Sequence, residues 1–366
     1  MEKRNFRKSM LAILLGVLLY HTAVLAEVDK LNISQILQKG NDVYLYVNSL
    51  DAAERPAEDV LLAEQLSVNI DGGEAVPVQE AAIFQSLGQG ISYTFCIDVS
   101  KSVTEQEMAE IREGITGLIN GMSEKDFARI ITVGGEVTPL CDYTQDKEAL
   151  TGAVQNVQRT ADFTYLYKGI SFALDGYRKS VETMPERGAL ILFTDGMDDS
   201  DGASSEEQVL LDLAETRIPV YVVGLKGNDA SANLNSVGQI ARQSGGSVYS
   251  YSDMAIGEAV QAIGEVMRNT YQLHVRPGDD AFGKQNLVWN ATYHPESYSV
   301  TSKNYVYSLG MENVVLTTPE PIPEPASEPA SEPAPAPETE EESVAEPTPA
   351  PETEEESVAE PTPAPV

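Results

Sequence analysis

Between positions 90 and 270 short apolar runs alternate with stretches whose apolar residues recur at helical spacing. The run 91–98 predicts a strand. A helix over 104–120 follows, with Met108, Ile111, Ile115, Leu118 and Ile119 on one face. FARIITV (127–133) is a second strand, and after the turn Gly134-Gly135 the segment 136–141 returns as its hairpin partner. Helices are predicted over 146–157 and 166–180, the latter with Leu166, Ile170, Ala173, Leu174 and Tyr177 facing inward. GALILFT (188–194) and PVYVVGL (219–225) are apolar throughout, as strands covered on both faces are. Helices over 205–215, 231–244 and 254–269 and a short strand over 247–250 complete the unit. This order predicts an α/β fold, a doubly wound and mostly parallel sheet.

On either side the period changes to two, with strands predicted at 42–48, 65–70, 86–87, 271–275, 286–292 and 304–308. Neither flank is long enough for a stable sheet alone. Joined, 27–89 and 271–318 make one small β-sandwich, into which the α/β domain at 90–270 is inserted.

The two ends depart from this pattern. The first carries four basic residues, then an apolar run from Met10 to Tyr20, and closes on Val24-Leu25-Ala26. This predicts a secretory signal peptide over 1–26; a membrane-spanning helix needs ~20 apolar residues. The protein is therefore expected to be secreted or to reside in the cell envelope. From Pro319 to Val366 the chain is almost entirely Pro, Glu, Ala, Ser and Thr, with APETEEESVAEPTP at 336–349 repeated at 350–363. Such an acidic, proline-rich repeat buries too little to offset its ordering entropy and is expected to be a disordered spacer.

The formal charge is −33, and −19 without the fourteen Glu of the tail. That balance excludes nucleic acid as a partner and membrane contact other than by indirect attachment. It suits cations and basic surfaces, although solubility alone also accounts for it. The two cysteines, Cys96 and Cys141, are too few for a disulfide framework and are expected to be free thiols. His21, His274 and His294 have no metal-ligand spacing, and Trp289 reads as core.

Against this background the oxygens at the strand ends stand out. In YTFCIDVSKS the apolar run stops on Asp98, Ser100 and Ser102, three oxygen-bearing side chains within five residues. Hydroxyls and a carboxylate are hard ligands that suit Mg²⁺, Mn²⁺ or Ca²⁺. By itself the triplet also reads as a helix cap, with Ser100, Ser102 or Thr104 in that role. More oxygens converge on the same edge, however: Asp195 follows GALILFT, and the loop before the helix at Leu166 opens there too. In doubly wound sheets that edge is where ligands bind.

D-x-S-x-S after an apolar strand, Thr164 before a helix and T-D-G ending the next apolar strand together resemble a von Willebrand factor type A domain. The resemblance spans about 90–271 and includes TYLYKGI, IPVYVVGL and IARQSGGSVY. It implies a metal-ion-dependent adhesion site in which Asp98, Ser100, Ser102, Thr164 and Asp195 hold a divalent cation and a partner's carboxylate completes the shell. Two departures stand beside it. Lys101 occupies a position where many members have Gly, and Asp162-Phe163 replaces a frequent Gly-Gly. The run DGMDDSDG adds Asp198, Asp199 and Asp201, either a second cation site or a solvated acidic loop.

The expected function is cation-dependent binding of a protein or glycan by an exported monomer, without catalysis. The alternatives are a structural envelope protein and, with less in its favour, a metal-dependent hydrolase. Against the hydrolase, no His or Lys is visibly paired with a serine, and no G-x-S-x-G elbow is present.

Overall fold

The computed structural model describes residues 27–52, 54–200, 205–228 and 233–315. The predicted signal peptide, the acidic tail and Asp201 lie outside them. The chain enters through β1 (Lys30–Lys39) and β2 (Asp42–Leu50), an antiparallel hairpin with a bulge at Ser34. β3 (Leu66–Ile70) and β4 (Val76–Ile83) follow. The strand predicted at 86–87 is absent: Phe84–Leu87 is a 3-10 turn whose Phe84 is buried and whose Ser86 hydroxyl donates back to the Ile83 carbonyl.

The α/β unit then runs as β5 (Ser92–Asp98), α1 (Glu105–Asn120), β6 (Phe127–Val133), β7 (Val137–Thr144), α2 (Lys147–Gln155) and α3 (Leu166–Ser180). It continues with β8 (Gly188–Thr194), α4 (Glu206–Thr216), β9 (Val220–Gly224), α5 (Asn235–Gln243), β10 (Val248–Ser250) and α6 (Ile256–Asn269). The six strands lie in the order β10-β9-β8-β5-β6-β7, all parallel except β7. Every residue of β5 and β8 is buried because helices cover both faces. One face packs on α1, α2 and α6, the other on α3, α4 and α5.

The chain leaves β5 toward β6 on one side, and β8 lies on its other side. The strand order therefore reverses between β5 and β8, which opens a crevice at their carboxyl ends. Asp98 is the last residue of β5, and Asp195 follows β8.

After α6 the chain returns to the flanking layer as β11 (Tyr271–Val275), β12 (Leu287–Tyr293), β13 (Val300–Thr301) and β14 (Tyr305–Tyr307). Strands from both flanks interleave: β11 pairs with β2 and β4, and β12 with β3. The result is one antiparallel sheet of eight strands, not two facing sheets. It curls until β1 lies against β12 and β13, enclosing a core around fully buried Trp289, whose indole N–H donates to the Tyr307 carbonyl. Right-handed sheet twist makes such curling ordinary.

β1 and β4 were not predicted. β1 (KLNISQILQK) hides its alternation because its polar residues are buried against the α/β unit. Asn32 donates to the Gly245 carbonyl and Gln35 to that of Glu186. Arg187, just before β8, is fully buried at the same junction. Its guanidinium donates to Gln35 Oε1, Ser34 Oγ and Thr270 Oγ1 at 3.1–3.2 Å and lies 4.7 Å over the Tyr46 ring. Burial draws its pKa down.

Candidate metal centre

Asp98 anchors the edge. Its side chain is fully buried; Oδ1 accepts the Ser100 amide at 2.9 Å and the Thr164 hydroxyl at 3.1 Å, and Oδ2 accepts the Thr194 hydroxyl at 3.1 Å. Ser100 and Ser102 share a hydrogen bond at 2.7 Å between their hydroxyls. Neither serine caps α1. Thr104 does, in a capping box: its hydroxyl accepts the Glu107 amide, and the Glu107 carboxylate accepts the Thr104 amide. The simple capping role weighed for the serines is thus filled two residues further on.

Backbone pairing joins the loops. The Val99 carbonyl accepts the amides of Thr160 and Ala161, and the Lys101 amide donates to the Ala161 carbonyl. Gly134 lies beneath this seam, where a Cβ would come within 2.4 Å of that of Ala161. Thr164 precedes α3, whose N-cap is Tyr165 and whose first turn has no side-chain cap of its own. The cap comes from across the site: Asp198 Oδ1 accepts the Tyr167 amide at 3.2 Å. Asp199 clips Thr164 twice, its carboxylate accepting the Thr164 amide at 2.9 Å and its amide donating to the Thr164 carbonyl at 2.8 Å. The acidic run therefore spends Asp198 and Asp199 on backbone amides.

Asp195 is 2% exposed, and its Oδ1 accepts the Met197 amide. A fourth loop, after β9, closes this flank, and the sequence reading missed it. Glu107 Oε1 accepts the amides of Lys226 and Gly227, and the Asn228 amide donates to the Ser102 carbonyl. Gly227 has φ +66°, and a Cβ there would stand 3.1 Å from both Asp195 Oδ2 and the Ser102 carbonyl oxygen. Glycine is the residue that tolerates both the backbone and the crowding. Thr194 and Glu107 were also missed; Thr194 lay in view within T-D-G, whereas Glu107 carried only a capping-box signal.

The electrostatics follow from burial. Desolvation pushes Asp98 up to about 6 and the charge of Asp195 pushes the same way, while the Ser100 and Thr164 hydrogen bonds oppose the shift. Among the described residues no ion pair involves Asp98 or Asp195. Lys101, the nearest cation in sequence, turns away to pair with Asp162 at 2.6 Å. The two departures from the family pattern thus neutralise each other at the surface. The donors gathered here, two carboxylates and three hydroxyls, are hard oxygens whose chemistry fits a small divalent cation. Among the described residues no group of three or more His, Cys, Asp and Glu is placed to bind a metal, and no helix is long and apolar enough to cross a membrane.

Residues 94–262 match the family model of the von Willebrand factor type A domain. No curated protein matches the chain. Solved structures are similar too, among them the following three. An aerotolerance-related membrane protein from Bacteroides fragilis, carrying multiple mutations to serines, is 20% identical, covering 49% of this chain and 98% of its own at a TM-score of 0.37. The conserved hypothetical protein BatB from Bacteroides thetaiotaomicron is 18% identical, covering 48% and 98% at 0.38. A von Willebrand factor type A protein from Catenulispora acidiphila is 12% identical, covering 78% and 73% at 0.44. By this family match, residues 94–262 of the chain are a von Willebrand factor type A domain.

Proposed function

We propose that this domain is a divalent-cation-dependent interaction module of an exported protein. Asp98, Ser100, Ser102, Thr164 and Asp195 would hold Mg²⁺, or Mn²⁺ or Ca²⁺ in its place. The cation would supply a Lewis-acidic contact for a carboxylate of a protein or glycan partner. The observation that carries this reading is the burial of Asp98 and Asp195 with, among the described residues, no cationic side chain paired to either. Buried carboxylates so placed are costly unless a cation compensates them. Two carboxylates also leave coordination positions for water or a partner, as Mg²⁺ sites commonly do.

Two further observations favour binding over hydrolysis. The Ser100 and Ser102 hydroxyls are bonded to each other, and His274 and His294 are engaged on the curled sheet, with Asp42 and Ser67 respectively. Among the described residues neither histidine therefore stands at either serine. Export rests on the basic-then-apolar start of the chain. The test is calorimetric titration of the chain with Mg²⁺. One site, lost in Asp98→Ala, is expected; equal binding by that variant overturns the ligand set.

A further inference from the structure

Where the amino ends of the α/β strands meet the curled sheet, at the opposite end from the candidate metal centre, lies a cavity of about 880 Å³. The β1–β2 turn, the chain before β12 and after β14, and Glu186 and Arg217, which precede β8 and β9, build it. Its walls are fixed. The Gln38 amide donates to the carbonyls of Gly40 and Gly310, and its oxygen accepts the Gly310 amide. Gly40, at φ +61°, brings the turn so near Asn313 that a Cβ would stand 2.8 Å from that carbonyl oxygen. The Glu186 carbonyl accepts both the Gln35 amide and the Tyr177 hydroxyl. Little ordering therefore remains to be done when a ligand enters.

Arg217 is the unusual residue in this cavity. It follows α4 at φ +60°, a position where glycine is the common choice and any other residue is strained. Its amide closes the helix on the Leu213 carbonyl, which a glycine would do as well. Its guanidinium lies 4.2 Å over the ring of buried Tyr307, and Nε donates to the Ala214 carbonyl. Among the described residues no carboxylate pairs with it. A guanidinium held over an aromatic ring is a preorganised fork for a carboxylate.

The other lining groups argue against a simple oxyanion as the ligand. Glu186 and Glu312 balance Arg217 and Lys39 in charge; Lys39 pairs with Glu186 at 2.5 Å, and Glu312 pairs with no cation among the described residues. Two carboxylates in the lining repel a compact anion but accept readily from hydroxyls. Gln285 and Asn313 make no side-chain hydrogen bond among the described residues, so their amides are open to a polyol.

We propose that this cavity binds a sugar acid, with Arg217 gripping its carboxylate and Gln285, Asn313 and Glu312 its hydroxyls. The volume falls in the range of small-molecule sites and holds roughly one or two sugar rings. The site is separate from the cation-binding reading above and does not rest on it.

The test is a saturation-transfer NMR titration of the whole protein with glucuronate, galacturonate and N-acetylneuraminate, beside glucose and acetate, in Mg²⁺ and in chelator. At least one sugar acid is expected to bind equally in both, with glucose and acetate each about ten-fold weaker. Arg217→Gly, which relieves the backbone, is expected to weaken that binding about ten-fold, and Arg217→Lys, which keeps the charge without the fork, to weaken it too. Gln285→Ala removes an exposed side chain that bonds to nothing in the protein. It is expected to weaken binding about three-fold with an unchanged melting temperature. No transfer from any sugar acid, acetate binding as well as they do, or undiminished binding by Arg217→Gly or Gln285→Ala would each overturn the site. Binding that vanishes in chelator would overturn it too, by placing the ligand at the metal centre.

Discussion

The α/β sheet buries charge at both ends of its strands, and the two ends resolve it differently. At the amino ends Arg187 pairs with no carboxylate among the described residues. The chain supplies three neutral oxygens and an aromatic face, so the guanidinium is met within the protein. At the carboxyl ends Asp98 and Asp195 are surrounded by hydroxyls and amides, which donate hydrogen bonds but carry no charge. One charge is met by oxygens of its own chain; the other is met by no cationic side chain among the described residues.

That contrast breaks most visibly at Arg187. Replacement by Ala should cost about 3 kcal/mol or more, because it opens a cavity and strands the oxygens of Gln35, Ser34 and Thr270. Denaturant midpoints measure this, and Mg²⁺ affinity should not follow. At the other end Asp98→Asn keeps the shape and removes a buried charge. It should abolish Mg²⁺ binding yet in chelator be more stable than wild type by about 1 kcal/mol. A large loss of stability in chelator would make Asp98 structural, like Arg187.

Asp199 sharpens the comparison because, among the described residues, it reaches the site through Thr164. Asp199→Ala should weaken Mg²⁺ binding about ten-fold by calorimetry, as loss of an outer-shell partner does. Glu107 yields the smallest effect. Burial works to raise its pKa, but the bonds from Thr104, Lys226 and Gly227 outweigh it and hold the pKa below the ordinary 4.5. Its contribution is therefore present above that value and is lost as pH falls through the lowered one. Glu107→Gln should lower stability modestly at pH 7 and flatten the acid-side loss in a stability profile, because it removes the contribution that the carboxylate makes above its pKa.

Much of the α/β unit was legible because its strands are apolar on both faces and its helices on one. Phe127–Val133 and Gly188–Thr194 were bounded to the residue for that reason. The flanks were harder to read. β1 buries Asn32, Ser34 and Gln35, so it lacks the alternation of a half-exposed strand, and β4 contains Pro77. The hairpin partner β7 reaches Thr144, three residues beyond its predicted end, with irregular pairing to β6.

By itself the sequence determined which residues meet at the carboxyl edge. Parallel strands share a direction, so residues that end β5 and β8 must emerge side by side, and the loop before α3 opens beside them. Only the tertiary structure decided how those oxygens are used. Thr104 takes the cap of α1 and leaves Ser100 and Ser102 free of it; Asp199 takes the Thr164 amide; Asp162 draws Lys101 outward. Apart from the cap, these partners lie 35 to 61 positions apart. A polar side chain has many acceptors of similar strength within reach of its composition, and hydrogen bonding leaves no periodic mark on a sequence. Packing alone selects among them.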